Sequence, residues 1–221
     1  MKKFERLPLI GKMLLELDEE GVLSLVREAL QEGASPLEIL EECQKGMTGV
    51  GIRYEQHDYY LSGLMMAGEI FRQVMELTEP HLCHYFYGRE NGHILLGTVQ
   101  GDIHDIGKNM FSTMARCHGF TITDLGVDVP PEAFREAAEE INPDIIGLSG
   151  LLTVAFDAMQ QTVHTLRQSR VARVARTPVI IGGSLLNAQV CAYVGADYWC
   201  VDAVVGIKLC QEILNKGLST S

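Results

Sequence analysis

The apolar positions in the first part of the chain recur at the spacing of an amphipathic helix. From Asp18 to Gly33 they return every three or four residues, and Gly33 is a favourable residue at which to end a helix. A second pattern of the same kind begins at Ser35. Ser35 and Glu38 are spaced as in a capping box, and Pro36 stands at the first helical position, so a helix start is predicted here.

Two more helices are predicted on either side of this pair. The strongest pattern runs from Leu61 to Met75 and is expected to end before Pro80, whereas a weaker one covers Leu7–Leu17. Each of the four helices must bury one apolar stripe against another. The pattern therefore predicts a small four-helix bundle that forms a cap domain over residues 1–90.

The pattern changes near Gly92, where short unbroken apolar runs begin to alternate with helix-like stretches. Unbroken runs are typical of strands that are buried on both faces. The five runs are His93–Val99, Phe120–Asp124, Ile145–Leu148, Val179–Ile181 and Tyr198–Val201. Helices are expected to start near Lys108, Pro131, Thr153, Leu185 and Asp202. Residues 91–221 are therefore predicted to form an α/β domain of flavodoxin or Rossmann-like type, with a five-stranded parallel sheet and helices on both faces.

Composition and charge restrict the possible functions. The chain has 221 residues, of which 47% are hydrophobic and 21% charged, as expected of a globular protein. Acidic residues outnumber basic ones by 29 to 18, giving a net charge of −11, and so negative a surface repels nucleic-acid phosphates and anionic lipid. We therefore expect neither a nucleic-acid partner nor a membrane partner.

The location of the protein is inferred from two further features. No apolar run approaches the roughly 18 residues that a membrane helix needs, and the N-terminal stretch is too broken for a signal peptide. The six cysteines include no C-x-x-C pair, so neither a zinc knuckle nor a disulfide framework is indicated. A cytoplasmic protein with reduced thiols is expected.

Candidate chemistry lies where three strands of the predicted sheet end. Ligands of such sheets bind beyond the carboxyl ends of the strands, near the point where strand order reverses. The first of these loops contains Asp102 and His104, and a neutral imidazole can bind a metal through one nitrogen while a carboxylate orients the other. Asp102 is the expected orienting group, and Ser149, after the third strand, is expected to hydrogen-bond Asp102.

Glycines in two of these loops allow backbone to approach a bulky ligand. Gly107 follows the first strand, and Gly182 and Gly183 follow the fourth. A lone Asp-x-His pair is more often a surface turn, and Gly-Gly is more often simple turn chemistry, so the significance lies in their fixed order. A hydrolase is disfavoured because Gly147–Leu151 lacks the second glycine of a nucleophile elbow.

This ordered set, Asp-x-His-x-x-Gly, Ser-x-Leu and Gly-Gly, resembles the signature of the cobalamin-binding domain. That domain is shared by methionine synthase, corrinoid methyl-carrier proteins and adenosylcobalamin mutases. The stretches GTVQGDIHDIGKNM, GFTITDLGVDVPPEAF and GADYWCVDA are also similar to the family. In the first part of the chain, GMTGVGIRYEQHDYYLSGLMMAGEIF resembles the helical cap of methyl-carrying corrinoid proteins.

The resemblance implies a role for each matching residue. His104 would be the lower axial cobalt ligand in place of the dimethylbenzimidazole base, and Asp102 and Ser149 would complete a triad that tunes it. The other implied cofactor contacts are Asp105, Ile106, Gly107, Leu151, Thr153, Gly182 and Gly183 in the sheet domain. Tyr60, Leu64 and Met65 of the cap would cover the reactive face, although ordinary bundle core is an equally good interpretation of each.

The resemblance also implies a function in one-carbon metabolism. The chain would bind cobalamin base-off/His-on and carry a methyl group as methylcobalamin, returning to cob(I)alamin after each transfer. Its partners would be a donor-specific methyltransferase, an acceptor methyltransferase using tetrahydrofolate or a thiol, and a reductive activase. It would be a carrier subunit and not a stand-alone catalyst. The alternatives are a cobalamin sensor or storage module, or the cobalamin subunit of a mutase.

Two features depart from the family pattern. The interval from Leu151 to Gly182 is longer than usual and contains RQSRVARVAR, which predicts an extended segment before the fourth strand. Its arginines are interpreted either as a solvated helix face or as a docking patch for an acidic partner. After Gly183 the chain reads Ser184-Leu185-Leu186 in place of the small and Pro-Val-Thr-like residues of similar proteins.

Overall fold

The computed structural model describes residues 6–82 and 91–218. The chain divides into two compact units, Met1–Tyr85 and Phe86–Ser221. The boundary expected at residue 90 stays a prediction, because residues 83–90 lie outside the described part of the chain.

The first unit contains the four helices that the apolar spacing predicts. They are α1 (Leu7–Leu15), α2 (Glu19–Gln31), α3 (Pro36–Glu55) and α4 (Leu61–Leu82). Their buried faces carry the apolar residues of each pattern, among them Ile10, Leu14, Val22, Val26, Ile39, Leu40, Val50, Ile70, Phe71 and Val74. The predicted four-helix cap is therefore confirmed as an architecture.

The ends of α2 follow from its flanking residues. The Asp18 carboxylate accepts a hydrogen bond from the backbone N–H of Gly21 at 3.0 Å, which caps the start of the helix. At the other end Gly33 has φ of 81°, and the amides of Gly33 and Ala34 donate to the carbonyls of Leu30 and Ala29. This pair of bonds is a Schellman motif, so the predicted stop at Gly33 is confirmed.

Two predicted helix ends are wrong in detail. Ser35 stands at the N-cap of α3, but its side chain makes no capping hydrogen bond, so the capping box is not formed. Pro36 already fixes the backbone at the first helical position, and the helix begins there without that bond. Pro80 does not end α4, which continues to Leu82. Pro80 is exposed and cannot donate to the carbonyl four residues earlier, yet the helix continues for two more residues beyond it.

The second unit alternates strands and helices. Its strands are β1 (Gly92–Thr98), β2 (Phe120–Asp124), β3 (Ile145–Ser149), β4 (Val179–Gly182) and β5 (Tyr198–Cys200). Its helices are α5 (Ile106–Cys117), α6 (Pro131–Ile141), α7 (Ala155–Arg167), α8 (Ala172–Arg176), α9 (Ala188–Val194) and α10 (Ala203–Leu218). All neighbouring strands are parallel, in the order β2-β1-β3-β4-β5. The predicted flavodoxin-like sheet is confirmed.

The register of the sheet brings the three candidate loops to one edge. Thr98 at the end of β1 is level with Ser149 of β3, and Ser149 is level with Gly182 of β4. Strand order reverses between β1 and β3, because the chain passes from β1 outward to β2 and then returns to β3. The loops after β1, β3 and β4 therefore meet at the switch point of the sheet.

The arginine-rich segment before β4 forms the short additional helix α8. Arg167 donates to the carbonyls of Ala175 and Thr177 at 3.2 and 2.8 Å, and it also pairs with Asp197 at 2.6 Å. Arg173 pairs with Asp144 at 2.9 Å. These two arginines hold the segment against the second unit. Arg170, Arg173 and Arg176 are exposed, so the two interpretations given above, a solvated face or a docking patch, both stay open for them.

The expectation of reduced thiols holds for only part of the cysteine set. Cys43, Cys191, Cys200 and Cys210 are free and buried, and burial raises the pKa of Cys43 to about 12. Cys83 lies outside the described residues, and the expectation stays a prediction for Cys83 and Cys117. Among the residues that the structure describes, no helix is long and apolar enough to cross a membrane.

Helices α1 and α3 approach each other at glycines. A Cβ placed on Gly46 would lie 2.6 Å from the carbonyl oxygen of Gly11, and one on Gly11 would lie 2.6 Å from the carbonyl oxygen of Glu42. Both contacts are with backbone, which cannot move aside as a flexible side chain can. The α1–α3 contact therefore requires glycine at both positions.

We expect Gly46→Ala to lower the free energy of unfolding by about 1–3 kcal/mol, because the new methyl group forces the helices apart. Gly51→Ala in the same helix is the matched control, since a Cβ at Gly51 meets nothing within 4 Å. The control should raise stability by about 0.5–1 kcal/mol. Urea unfolding followed by circular dichroism measures both, and equal effects would contradict the proposed backbone contact.

Candidate functional site

The centre of the site is the buried carboxylate of Asp102. Its side chain is fully buried, and each of its oxygens accepts two hydrogen bonds. Oδ1 accepts from the backbone N–H of His104 at 3.0 Å and from Nδ1 of the same residue at 2.6 Å. Oδ2 accepts from the backbone amides of Leu151 and Leu152 at 2.7 and 3.1 Å. Asp102 therefore joins the loop after β1 to the loop after β3.

These hydrogen bonds also set the ionisation state of Asp102. Burial works to raise the pKa of the carboxyl group, because the ionised form loses its water. The hydrogen bonds from His104 and from the amides of Leu152 and Leu151 work in the opposite direction and prevail, so the pKa lies below its usual value. The group is an anion at neutral pH and accepts from all of its partners.

The carboxylate fixes the tautomer of His104. Because Asp102 can only accept, the imidazole proton lies on Nδ1 and the lone pair lies on Nε2. Nε2 has no hydrogen-bond partner within residues 6–82 and 91–218, and the side chain is 47% exposed. The predicted hydrogen bond between Asp102 and His104 is therefore present and leaves Nε2 as the nitrogen without a described partner, whereas the role of His104 as a metal ligand stays a prediction.

The predicted hydrogen bond between Ser149 and Asp102 is not formed. The Oδ2 atom that it would use accepts from the amides of Leu151 and Leu152, and the described residues show no bond between the Ser149 hydroxyl and this carboxylate. Ser149 instead contributes its carbonyl oxygen, which accepts from the N–H of Val99 at 3.0 Å. The backbone beyond Ser149 therefore takes the place that its side chain was expected to fill.

Two residues that support the His104 loop were not predicted. The buried Thr98 donates its hydroxyl to the carbonyl oxygen of His104 at 3.0 Å. Asp128, with φ of 55°, accepts from the N–H of Gly101 at 2.7 Å and donates its own N–H to the carbonyl of Asp102 at 3.0 Å. A sequence signal existed for each, because Thr98 is a polar residue ending an apolar strand and Asp128 lies in a loop at the same sheet edge.

The predicted glycines differ in what they accommodate. A Cβ on Gly183 would lie 2.1 Å from the carbonyl oxygen of Gly150, and its φ of 158° lies at the limit of the region that disfavours side chains. Gly183 is therefore required by the contact between the loops after β3 and β4. In contrast, a Cβ on Gly182 meets only Cys200 at 3.9 Å, and one on Gly107 meets nothing within 4 Å.

Apolar side chains are exposed around His104. Ile103, next to it in the loop, is 72% exposed, and Leu151 and Leu152 after β3 are 36% and 41% exposed. Val154 and Leu185 continue this exposed apolar set in the loops after β3 and β4. Exposed apolar side chains at the switch point of a parallel sheet indicate a surface that a ligand covers.

The remaining predicted contacts of the second unit lie in the same loops. Asp105 precedes α5 and accepts from the Asn109 side chain at 3.0 Å, whereas Ile106 is the half-buried first residue of that helix. Thr153 is exposed between Leu152 and Val154. Their part in ligand binding stays a prediction.

The predicted cap residues lie in the first unit, at the start of α4. Tyr60 is 83% and Met65 69% exposed, so ordinary bundle core does not describe either of them, whereas Leu64 is half-buried. The preceding Tyr59 is fixed, since its hydroxyl donates to the carbonyl of Leu15 and accepts from Arg53, both at 2.8 Å. The expected role of Tyr60, Leu64 and Met65 over a cofactor stays a prediction.

The donor set at His104 fits a metal that brings its own ring. A single histidine nitrogen supplies one axial position, which suits a cobalt ion whose equatorial ligands come from a corrin macrocycle. The surrounding exposed apolar side chains and the open space at Gly107 suit the face of such a ring. Fold and site together define a flavodoxin-like domain with an oriented, half-exposed histidine at the switch point of its sheet.

Comparison with known proteins identifies the family. Residues 92–206 match the model of the B12 binding domain, and residues 10–79 match a second model that is also described as a B12 binding domain. The dimethylamine corrinoid protein of Methanosarcina barkeri is 31% identical over 97% of this chain and 100% of its own length. The chain therefore belongs to the family of B12-binding corrinoid proteins, and its cofactor is a corrinoid.

Solved structures agree with this assignment. The monomethylamine corrinoid protein of Methanosarcina barkeri has a TM-score of 0.83 and 27% identity, covering 92% of this chain and 96% of that one. A cobalamin-binding protein from Desulfitobacterium hafniense DCB-2 has a TM-score of 0.53 and 37% identity, covering 94% of this chain and 98% of that one. The helical unit followed by the parallel sheet is thus the architecture of known corrinoid proteins.

The two glycines yield a test of how the site is built. We expect Gly183→Ala to lower the free energy of unfolding of the apo protein by about 1–3 kcal/mol, because its Cβ collides with the backbone of Gly150. Gly107→Ala should leave that free energy unchanged or raise it by up to about 1 kcal/mol, since the position is open and lies in the first turn of α5. Thermal or urea unfolding of the two variants would contradict this account if Gly107→Ala were the more damaging.

Proposed function

We propose that this chain is a corrinoid methyl carrier that binds cobalamin base-off/His-on, with Nε2 of His104 as the lower axial ligand. The observation that carries the proposal is the pair of bonds from His104 to Oδ1 of the buried Asp102, which fixes the imidazole as an Nε2 donor. Bound cobalamin would supply a cobalt centre that accepts a methyl group and gives it up again.

The residues of the chain would tune this ligand in a defined way. As Nε2 donates to a metal, the imidazole ring gains positive charge, which the Asp102 carboxylate at 2.6 Å from Nδ1 stabilises. The imidazole proton stays on Nδ1, in the hydrogen bond to Oδ1 of Asp102. The amides of Leu151 and Leu152 hold the carboxylate as an anion, so the strength of the axial donor depends on backbone from two loops.

The carrier role is supported by the extent of the similarity. The dimethylamine corrinoid protein corresponds to this chain over its whole length, in both units. We infer that this chain likewise exchanges its methyl group with separate enzymes. They would be a methyltransferase specific for a methylated amine, an acceptor methyltransferase that uses tetrahydrofolate or a thiol, and a reductive activase. We also propose a cytoplasmic location; no helix of the described residues is long and apolar enough to cross a membrane.

The axial assignment is tested by spectroscopy of the reconstituted protein. We expect the wild-type protein with cob(II)alamin to show coupling of the cobalt electron to one histidine nitrogen in its electron paramagnetic resonance spectrum, confirmed by ¹⁵N-histidine labelling. His104→Ala should lose this coupling. His164→Ala is the control, because His164 lies exposed in α7 and bonds Gln168. Coupling that survived in His104→Ala would refute the assignment.

Asp102→Asn tests the orienting carboxylate. All four hydrogen bonds to this side chain are donated to it, so the amide group of asparagine would face a donor at one of its two positions. We expect the affinity for cobalamin to fall by about 10- to 100-fold, with part of the cofactor no longer bound through His104. Equilibrium dialysis and the same spectra measure this, and unchanged affinity would contradict the role of Asp102.

The carrier role is tested by methyl transfer with purified partners. Methylated protein is mixed with an acceptor methyltransferase of a characterised methylamine system, and loss of methylcobalamin absorbance is followed with the His104→Ala variant as the matched control. Turnover supports a carrier. Partner binding or a change of oligomeric state without methyl turnover would favour a sensor or storage module, and carbon-skeleton rearrangement would favour a mutase subunit.

A further inference from the structure

The hydroxyl of Thr98 is buried directly beneath the loop that carries His104. Thr98 ends β1 and is 0% exposed, and its hydroxyl donates to the carbonyl oxygen of His104 at 3.0 Å. Its own backbone is fixed on both sides, because its N–H donates to Gly126 at 2.9 Å and its carbonyl accepts from Val129 at 3.0 Å. The donor that reaches His104 is therefore part of the sheet and not of the loop.

His104 is consequently held at three atoms. Its backbone N–H and its ring Nδ1 both donate to Asp102, at 3.0 and 2.6 Å, and its carbonyl accepts from Thr98. The bonds to N–H and C=O fix the peptide groups on the two sides of the histidine Cα, and the bond to Nδ1 fixes the ring. With the backbone and ring both fixed, the position of Nε2 is determined before any ligand arrives.

Thr98 and Asp102 both connect the His104 loop to the strands β1 and β3. Thr98 is level with Ser149 in the β1–β3 ladder, and Asp102 is bound to the amides of Leu151 and Leu152 just beyond β3. A shift of the His104 loop relative to the sheet would break bonds at both supports. Thr98 holds the carbonyl of His104, and Asp102 holds its N–H and its ring. Both residues therefore fix the position of His104.

We propose that Thr98 is a positioning residue for the axial ligand, acting through the main-chain carbonyl of His104 so that Nε2 is preorganised for cobalt. The proposal rests on the function proposed above, in which Nε2 of His104 is that ligand. Thr98 itself touches neither the metal nor the ring of His104 in this account. Its contribution is to lower the cost of ordering the loop when the cofactor binds.

A double-mutant cycle distinguishes this role from a merely structural one. The affinity for cobalamin is measured for the wild-type protein, Thr98→Val, His104→Ala and the double variant, using quenching of Trp199, the single tryptophan. Valine keeps the shape of threonine and removes the hydroxyl. We expect Thr98→Val to weaken binding roughly 2- to 10-fold when His104 is present, and by less than about twofold in the His104→Ala background.

Two further variants complete the design. Thr98→Ser keeps the hydroxyl and should restore affinity to within about twofold of the wild type. Thr162→Val is the matched control, because Thr162 is also 0% exposed and donates to a backbone carbonyl, that of Ala158 at 2.8 Å within α7. It should leave the affinity and the histidine coupling of the spectrum unchanged. Should Thr98→Val not fold, Thr98→Ala removes the same hydroxyl and takes its place in the cycle.

The outcomes separate the two proposals. An equal loss of affinity in both backgrounds, or an equal loss from Thr162→Val, would show that Thr98 acts only on the general stability of the fold and would overturn this inference. If the wild-type protein and His104→Ala bind cobalamin with the same affinity and the same spectrum, the axial assignment itself fails. A loss confined to the protein that has His104 supports the positioning role.

Discussion

The carboxylate of Asp102 is the interaction on which the geometry of the site depends. It lies out of contact with water, remains ionised and accepts four hydrogen bonds, the most distant donor being Leu152, 50 residues further along the chain. An uncompensated buried charge is costly, so the loops after β1 and β3 are held together at this point. The same charge fixes the proton of His104. One anion thus serves as a structural link between two loops and as the group that defines the reactive nitrogen.

Most of the fold could be predicted from the sequence, because parallel strands that are buried on both faces consist of unbroken runs of apolar residues. The runs Ile145–Leu148 and Val179–Ile181 fall within observed strands, and the cap helices follow their three- and four-residue spacing. The loops of the site could also be predicted, since all strands of a parallel sheet end at one edge. Asp102 and His104 are two residues apart, and their hydrogen bond needs little information beyond the local loop.

The hydrogen-bond partners in the site and the exact end of α4 could not be predicted, because they depend on which groups lie close together in the folded chain. The position of Ser149 and Asp102 at one edge of the predicted sheet suggested a side-chain bond, but the turn after β3 directs the amides of Leu151 and Leu152 at the carboxylate instead. Thr98 was missed because a polar residue at a strand end has many possible partners. Pro80 was predicted to end α4, but the helix continues to Leu82. Backbone hydrogen bonds and solvent exposure decide these cases, and both are properties of the folded chain.

The close contact between Gly183 and Gly150 marks a boundary in the loop after β4. Residues up to Gly183 are constrained by backbone contacts, whereas the residues directly beyond it are not. Gly150 donates to Gly182 at 3.1 Å and precedes the amide that binds Asp102, so the backbone that supports the histidine extends to the end of β4. Beyond Gly183 the side chains of Ser184 and Leu185 are exposed. The departure from the family pattern begins at these two positions. Substitution there changes the exposed surface at this edge of the sheet, whereas the hydrogen bonds that hold His104 do not involve these side chains.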